Sequence, residues 1–400
     1  MLKFIILLAV LLNTCTQTNT KALKSTNIQN KKTTKPIEPG AYSISQYLPL
    51  LQNKKVALMV NQTSLIYNTH LVDTLQKLNI NIQTIFAPEH GFRGNKEAGQ
   101  HFATYTDNTT GIKVISLFHK NKKPTSEDLQ NIDIIIYDIQ DVGVRFFTYI
   151  SSMYLLMEAC AQNNKPLIIL DRPNPNGDYI AGPILDTSKF RSFVGMLPIP
   201  VVYGLTPAEL AQMINGEKWL KNNLQCQLTI VKCKNYQHSS KYQPPVRPSP
   251  NLPNYLSIRL YPSLCLFEAT EISIGRGTQF PFQVIGYPKP SFGNFTFVPV
   301  DIQGVATNPP QKGKTCYGQD LQNWQEIPKF TISFCIDYYH KCQKENINFF
   351  SRPHWFDLLM GTDQTRIQIQ NGQSVEQIEK SWQKDLENFK QKSQKYLLYQ

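Results

Sequence analysis

No Gly-x-Gly-x-x-Gly follows any strand-like run of this sequence, so the phosphate cradle of a dinucleotide-binding fold is missing. Gly-x-x-x-x-Gly-Lys-Ser/Thr and the Gly-x-Ser-x-Gly nucleophile elbow are also missing, which argues against P-loop nucleotide hydrolysis and that type of serine hydrolase. None of the cysteines forms a Cys-x-x-Cys unit, which argues against a zinc ribbon or a thioredoxin-type centre. His70, His90, His101 and His119 lack the i, i+4 spacing of a helical metal site, so neither a metal nor a cofactor is expected. Acidic residues are scarce: Asp plus Glu number 29 against 41 Lys plus Arg, a formal charge of +12. That excess favours an anionic partner. There is no dense Lys/Arg stripe with interleaved aromatics, so nucleic acid is not the expected one.

Long hydrophobic runs are missing too. The apolar stretch Phe4 to Leu12 follows Lys3 and falls far short of the ~20 residues of a spanning helix, so it reads as a targeting segment. It ends at Leu12-Asn13-Thr14-Cys15, which resembles a bacterial lipoprotein processing site with Cys15 as the lipidated residue. Residues 1–15 are therefore expected to be a signal peptide. Residues 16–39, rich in Thr, Asn and Lys, are expected to be a flexible tether. Seven further cysteines remain, an odd number, so at least one cannot pair within the chain.

From residue 40 the pattern alternates strand and helix. Continuous apolar runs at Lys55–Val60, Ile82–Phe86, Ile112–Leu117, Ile132–Asp138 and Pro166–Leu170 read as buried strands. Helical patterns lie at Leu71–Leu78, at Thr148–Asn163 and after Thr206, where Pro207 and Glu209 suit a first turn. Together they predict an α/β fold with a parallel sheet covered on both faces. Five prolines between Gln243 and Pro253 mark a change of texture, and a boundary is placed near residue 245. Domains of 40–245 and 246–400 follow, the second α+β and closing over one edge of the first. Within it, Pro328–Ile336 reads as a strand and Val375–Leu398 as one long polar helix.

Ligands of a parallel α/β sheet bind outside the carboxyl ends of its strands. Polar residues concentrate there: Asn61 after the first strand, and Glu89, His90 and Arg93 after the second. Gln140, Asp141 and Arg145 follow the fourth, and Asp171, Arg172 and Asn174 the fifth. Glu89 stands out, because Pro88 stiffens its approach and apolar neighbours could raise its pKa for general-acid work. His90 is a second candidate proton carrier. The plainer alternative pairs Glu89 with Arg93 to hold the loop. The second half contributes Asn251 in the rigid Pro248–Pro253 loop. It also offers Glu268, Glu271 and then Arg276 between two glycines, a candidate carboxylate fork.

The ordered blocks Asn61-Gln62-Thr63, Phe86 to Gly94, Asp138 to Tyr149, Leu170 to Asn174, Pro248 to Pro253, Gly275 to Thr278 and Tyr396-Leu397-Leu398-Tyr399 resemble the bacterial exo-β-N-acetylmuramidase family of glycoside hydrolases. Ala269, Glu271 and Tyr287 depart from its usual pattern. The resemblance implies a Rossmann-like parallel-sheet N-terminal domain, a smaller α+β C-terminal domain, and a cleft between them. It implies release of terminal β-linked N-acetylmuramic acid from the non-reducing end of peptidoglycan fragments, with Glu89 as the catalytic residue. Arg93, Arg145, Arg172 or Arg276 would bind the sugar's lactyl carboxylate. Asp141, Asp171, Glu268 or Glu271 would supply a second carboxyl group, about 5 to 5.5 Å away for retention or roughly 6.5 to 9.5 Å for inversion. The sugar's own N-acetyl group is an alternative nucleophile. The expected protein is a cofactor-free, exported lipoprotein of the periplasm or outer membrane, acting on peptidoglycan-derived disaccharides or muropeptides. The rival reading is an envelope lipoprotein that binds muropeptides without cleaving them.

Overall fold

The computed structural model describes residues 35–89, 91–94, 104–118 and 121–400. Its strands are β1 (Val56–Val60), β2 (Leu65–Ile66), β3 (Thr69–His70), β4 (Ile82–Ala87), β5 (Tyr105–Thr106), β6 (Lys113–Ser116), β7 (Ile134–Asp138), β8 (Leu167–Leu170), β9 (Leu228–Val231), β10 (Val284–Tyr287), β11 (Phe295–Phe297) and β12 (Cys316–Asp320). The helices of the first part are α1 (Ile44–Leu51), α2 (Leu71–Lys77), α3 (Ser126–Leu129), α4 (Tyr149–Gln162) and α5 (Pro207–Gly216). Those of the second are α6 (Tyr255–Leu264), α7 (Ser333–Lys344), α8 (Pro353–Met360), α9 (Gln364–Gln370), α10 (Val375–Ser381) and α11 (Gln383–Ser393).

The main sheet runs β5-β6-β4-β1-β7-β8-β9. All neighbours pair in parallel except β5, which lies antiparallel on the edge. Without that edge, the parallel strands stand in the chain order 3-2-1-4-5-6 of a doubly wound fold, as the resemblance implied. The order reverses between β1 and β7, and the crevice beyond their carboxyl ends is the natural ligand position.

Why the strands are buried throughout follows from the two-residue period of extended chain. Ala57, Met59, Ile135, Tyr137, Leu167 and Ile169 face one hydrophobic cluster. Their alternate neighbours Val56, Leu58, Val60, Ile134, Ile136, Ile168 and Leu170 face the other. Helices α1 and α2 cover the second cluster through Tyr47, Leu51, Leu71 and Leu75. The first cluster takes Met153 and Leu156 of α4 and Leu210 of α5. It runs on without a break into the C-terminal part through Leu264, Phe282, Tyr338, Phe356 and Ile378. A three-stranded antiparallel sheet, β10-β12-β11, belongs to that part.

Two expectations for the second half are corrected. Pro328–Ile336 is not a strand: a helix starts at Ser333, and Cys335, Tyr338 and Cys342 are buried at helical spacing. The β-branched run Thr331-Ile332 misled because the helical period shows only over a longer window. The long terminal helix is broken at Trp382, which ends α10 and starts α11. One parallel strand, β9, had too mixed a pattern to be recognised, with its first three residues half-exposed or exposed. All seven described cysteines are buried free thiols.

Candidate active site

At the end of β4 the chain turns sharply, with Gly91 N donating to Pro88 O at 3.0 Å. Beyond the turn Phe92 is buried edge-on against His70. Arg93 lies over the Phe92 ring and pairs with Asp107 at 3.0 Å and Asp73 at 3.4 Å. These pairs, chiefly the Asp107 hydrogen bond, raise the Arg93 pKa. Arg93 therefore anchors the loop to the body of the sheet, while Glu89 is half-buried on the wall of a cavity. The Thr148 hydroxyl, at the head of α4, donates to Glu89 Oε2 at 3.2 Å.

This cavity has a volume of about 550 Å³. It draws Glu89, Phe146, Phe147, Thr148 and Tyr149 from the first half, and Ser249, Asn251, Leu252, Tyr261, Glu268, Arg276, Phe282 and Trp355 from the second. The proline-rich loop is held there by Gln62, whose amide donates to the carbonyls of Arg247 and Pro248 at 3.2 and 3.3 Å. Asn251 then donates to Val305 O at 2.9 Å. Arg276 pairs with Glu268 at 2.8 Å and lies over the Phe282 ring. Burial is the largest single influence and works against the guanidinium charge, but Glu268, Cys265, Tyr261 and Glu89 together outweigh it, and the Arg276 pKa rises. The two carboxylates and the arginine thus form one electrostatic group within an aromatic-walled cavity. The phenol of Tyr149 is pushed up in pKa by burial and then by the charge of Glu89.

Of the expected residues, the structure brings Glu89, Asn251, Glu268 and Arg276 to the cavity wall. His90 lies outside the described residues, as does Cys15. The others do not line it. Asn61 is fully buried, with its side-chain Oδ1 accepting from Thr63 N and Thr63 Oγ1. Gln140 donates to the carbonyls of Asp141 and Pro173, both at 2.7 Å. Asp141 accepts from Gly143 N at 2.6 Å and from the Tyr203 hydroxyl. Burial pushes its carboxyl up to about 7 against those donors. A Cβ on Gly143, whose φ is +75°, would stand 2.1 Å from Asn174 Oδ1, so this turn needs glycine.

Arg145 is buried and donates to the carbonyls of Pro183, Ile199 and Leu359 at 2.9, 2.7 and 3.0 Å. Arg172 makes a two-pronged pair with Asp138 at 2.6 and 2.8 Å, inside the sheet end. Asp171 accepts from Ala208 N at 2.9 Å and from the Tyr399 hydroxyl at 2.6 Å. Asn174 donates to Leu205 O at 2.9 Å. Glu271 is exposed and lies by a separate surface depression with Arg352 and Lys314. The expected shared site of strand-end arginines and aspartates is thus mostly an internal scaffold, because each of these groups finds its partner within the chain.

Sequence reasoning missed Lys122, Phe193, Tyr261 and Trp355, all on the cavity wall. No motif surrounds them. The run Phe146–Tyr149 was readable only as the continuation of the strand-end block.

Residues 56–256 match the family described as exo-β-N-acetylmuramidase NamZ, N-terminal, and residues 259–399 match its C-terminal counterpart. The chain is 38% identical to the peptidoglycan β-N-acetylmuramidase NamZ of Bacillus subtilis (strain 168), over 96% of each protein. Two crystal structures of DUF1343 family proteins from Bacteroides fragilis are similar in fold. One superposes with a TM-score of 0.83 at 46% identity, covering 92% of this chain and 99% of the other. The second gives 0.77 at 31% identity, covering 91% and 99%. Doubly wound sheet, C-terminal part and sequence agree along nearly the whole length, and the chain belongs to the exo-β-N-acetylmuramidase NamZ family.

Proposed function

We propose that this chain is a glycoside hydrolase that releases terminal β-linked N-acetylmuramic acid from the non-reducing end of peptidoglycan fragments. The observation that carries the reading is the pairing of Glu89 with the Glu268–Arg276 couple across one cavity of about 550 Å³ in a member of the NamZ family. That volume suits a single small ligand. Cleaving a glycosidic bond requires a proton for the departing oxygen and negative charge to stabilise the oxocarbenium-like transition state. Glu89 is the general acid, oriented by the Thr148 hydroxyl. Glu268, held by Arg276, is the second carboxylate. The aromatic walls offer flat faces to the sugar ring, and a water molecule supplies the hydroxyl that ends on the anomeric carbon as the glycosidic bond breaks.

The protein is further proposed to be exported and anchored in the envelope through a lipid on Cys15, with residues 16–39 as the tether. This rests on the leader sequence. A Cys15→Ala variant should lose metabolic labelling with palmitate, and persistent label would contradict the anchor.

The activity is tested with a chromogenic β-N-acetylmuramide, comparing wild type with Glu89→Gln. Release by the wild type and a loss of at least about 100-fold in the variant are expected, in line with the typical contribution of general-acid catalysis. No release by a wild-type protein that still binds muropeptides would leave the binding reading instead. Equal release by both would remove Glu89 from its role.

A further inference from the structure

The substrate of the proposed reaction differs from an ordinary N-acetylhexosaminide by a lactyl ether that ends in a carboxylate. A site selective for it needs a cation that is not already neutralised. Arg93, Arg145 and Arg172 are turned into the scaffold by Asp73 and Asp107, by three backbone carbonyls, and by Asp138. Among the described residues, two cationic side chains line the cavity, Arg276 and Lys122. Arg276 already pairs with Glu268 at 2.8 Å.

Lys122 differs. Its ammonium sits 4.3 Å from the centre of the Phe193 ring, on the same cavity wall, and it makes no ion pair with a carboxylate among the described residues. The neighbouring residue explains how it is placed. Lys123 donates to Glu158 at 2.7 Å and to Gln162 at 3.1 Å, which pins the backbone to α4 and leaves Lys122 to face the cavity. An ammonium against an aromatic face loses part of its hydration without gaining a counter-charge, so an incoming carboxylate meets a partly prepared donor.

We infer that Lys122 is the specificity residue that binds the lactyl carboxylate of N-acetylmuramic acid, with Phe193 holding the ammonium in place. The inference rests on the muramidase reading above. It makes Lys122 a binding group and gives it no part in the bond cleavage.

The test is a two-by-two comparison of kcat/KM. One axis is wild type against Lys122→Met, which keeps the length and packing of the side chain without its charge. The other is 4-nitrophenyl β-N-acetylmuramide against its lactyl methyl ester, which keeps the shape without the anion. Esterification should cost the wild type roughly 10- to 100-fold, mostly through KM, the range expected for a hydrogen bond between charged groups. It should cost Lys122→Met almost nothing, and Lys122→Arg should recover most of the preference for the acid. Additive losses would overturn the inference, since two groups that touch must couple. So would coupling of the ester to Arg276→Met in place of Lys122→Met. If the wild type releases no N-acetylmuramic acid at all, the reading of the reaction fails first, and the two failures are thereby told apart.

Discussion

Tyr399, one residue from the C-terminus, offers the sharpest test of the internal scaffold. Its hydroxyl donates to Asp171 Oδ2 at 2.6 Å and accepts from Cys233 N at 2.8 Å. Its ring packs edge-on against Tyr236, so Tyr399→Phe keeps the packing and removes only the oxygen. The loss leaves a buried N–H without its acceptor and a buried carboxyl with one donor fewer. Each is worth about 1–3 kcal/mol, and the second is worth most when Asp171 is charged.

That condition makes the effect depend on pH. Burial pushes the Asp171 carboxyl up to about 7, although Tyr399 and Ala208 N both favour its ionised form. A carboxyl whose folded pKa exceeds the ~3.9 of the unfolded chain keeps its proton longer in the native state. Its contribution to stability is whole at low pH and is lost as pH rises from about 4 to about 7. Without the Tyr399 hydroxyl the folded pKa climbs further, and the variant goes on losing stability where the wild type has levelled. Urea unfolding followed by tryptophan fluorescence should show a destabilisation of about 1–2 kcal/mol near pH 5.5, growing to about 3–4 kcal/mol near pH 8.5. A difference that is constant across that range, or that shrinks, would refute the reasoning.

Arg172→Met breaks a buried pair and leaves Asp138 charged, so it should destabilise by about 3–5 kcal/mol. The KM of the folded fraction should not change; a raised KM with intact stability would place Arg172 at the substrate. Arg276→Met frees Glu268 from its cation and should lower kcat/KM on the chromogenic muramide by roughly 10- to 100-fold, the equivalent of one charge-assisted hydrogen bond. Undiminished turnover in that variant would detach the Glu268–Arg276 couple from the chemistry.

The sheet was legible because burial on both faces leaves a plain mark. Runs such as Val56–Val60 and Ile134–Asp138 are apolar at every position but one, and no amphipathic helix needs that. The capped start of α5 was equally local, since Thr206 and Glu209 satisfy one another's backbone within a single turn. Legibility failed where the deciding interaction was distant. Arg172 finds Asp138 across 34 residues, and Asp171 finds Tyr399 across 228. Neither separation leaves a sign in the residues around the strand end.

The same reason explains which site residues were visible. A polar residue at the carboxyl end of a parallel strand has two physical uses: it meets a ligand, or it ties the strand end to the elements that wrap it. Both uses favour the same residue types, because both call for charge and hydrogen bonding beside a hydrophobic sheet. Sequence position therefore locates the crevice but does not separate its lining from its frame. What separates them is whether the polar end is turned to partners inside the fold or to the cavity. Arg145 gives its two terminal nitrogens to three carbonyls, and Asp141 meets Tyr203 and Gly143 through one carboxylate oxygen. Lys122 has an aromatic face and no carboxylate among the described residues. Charge left unanswered by the fold is the property a ligand can use, and here it falls on a residue that no motif marks.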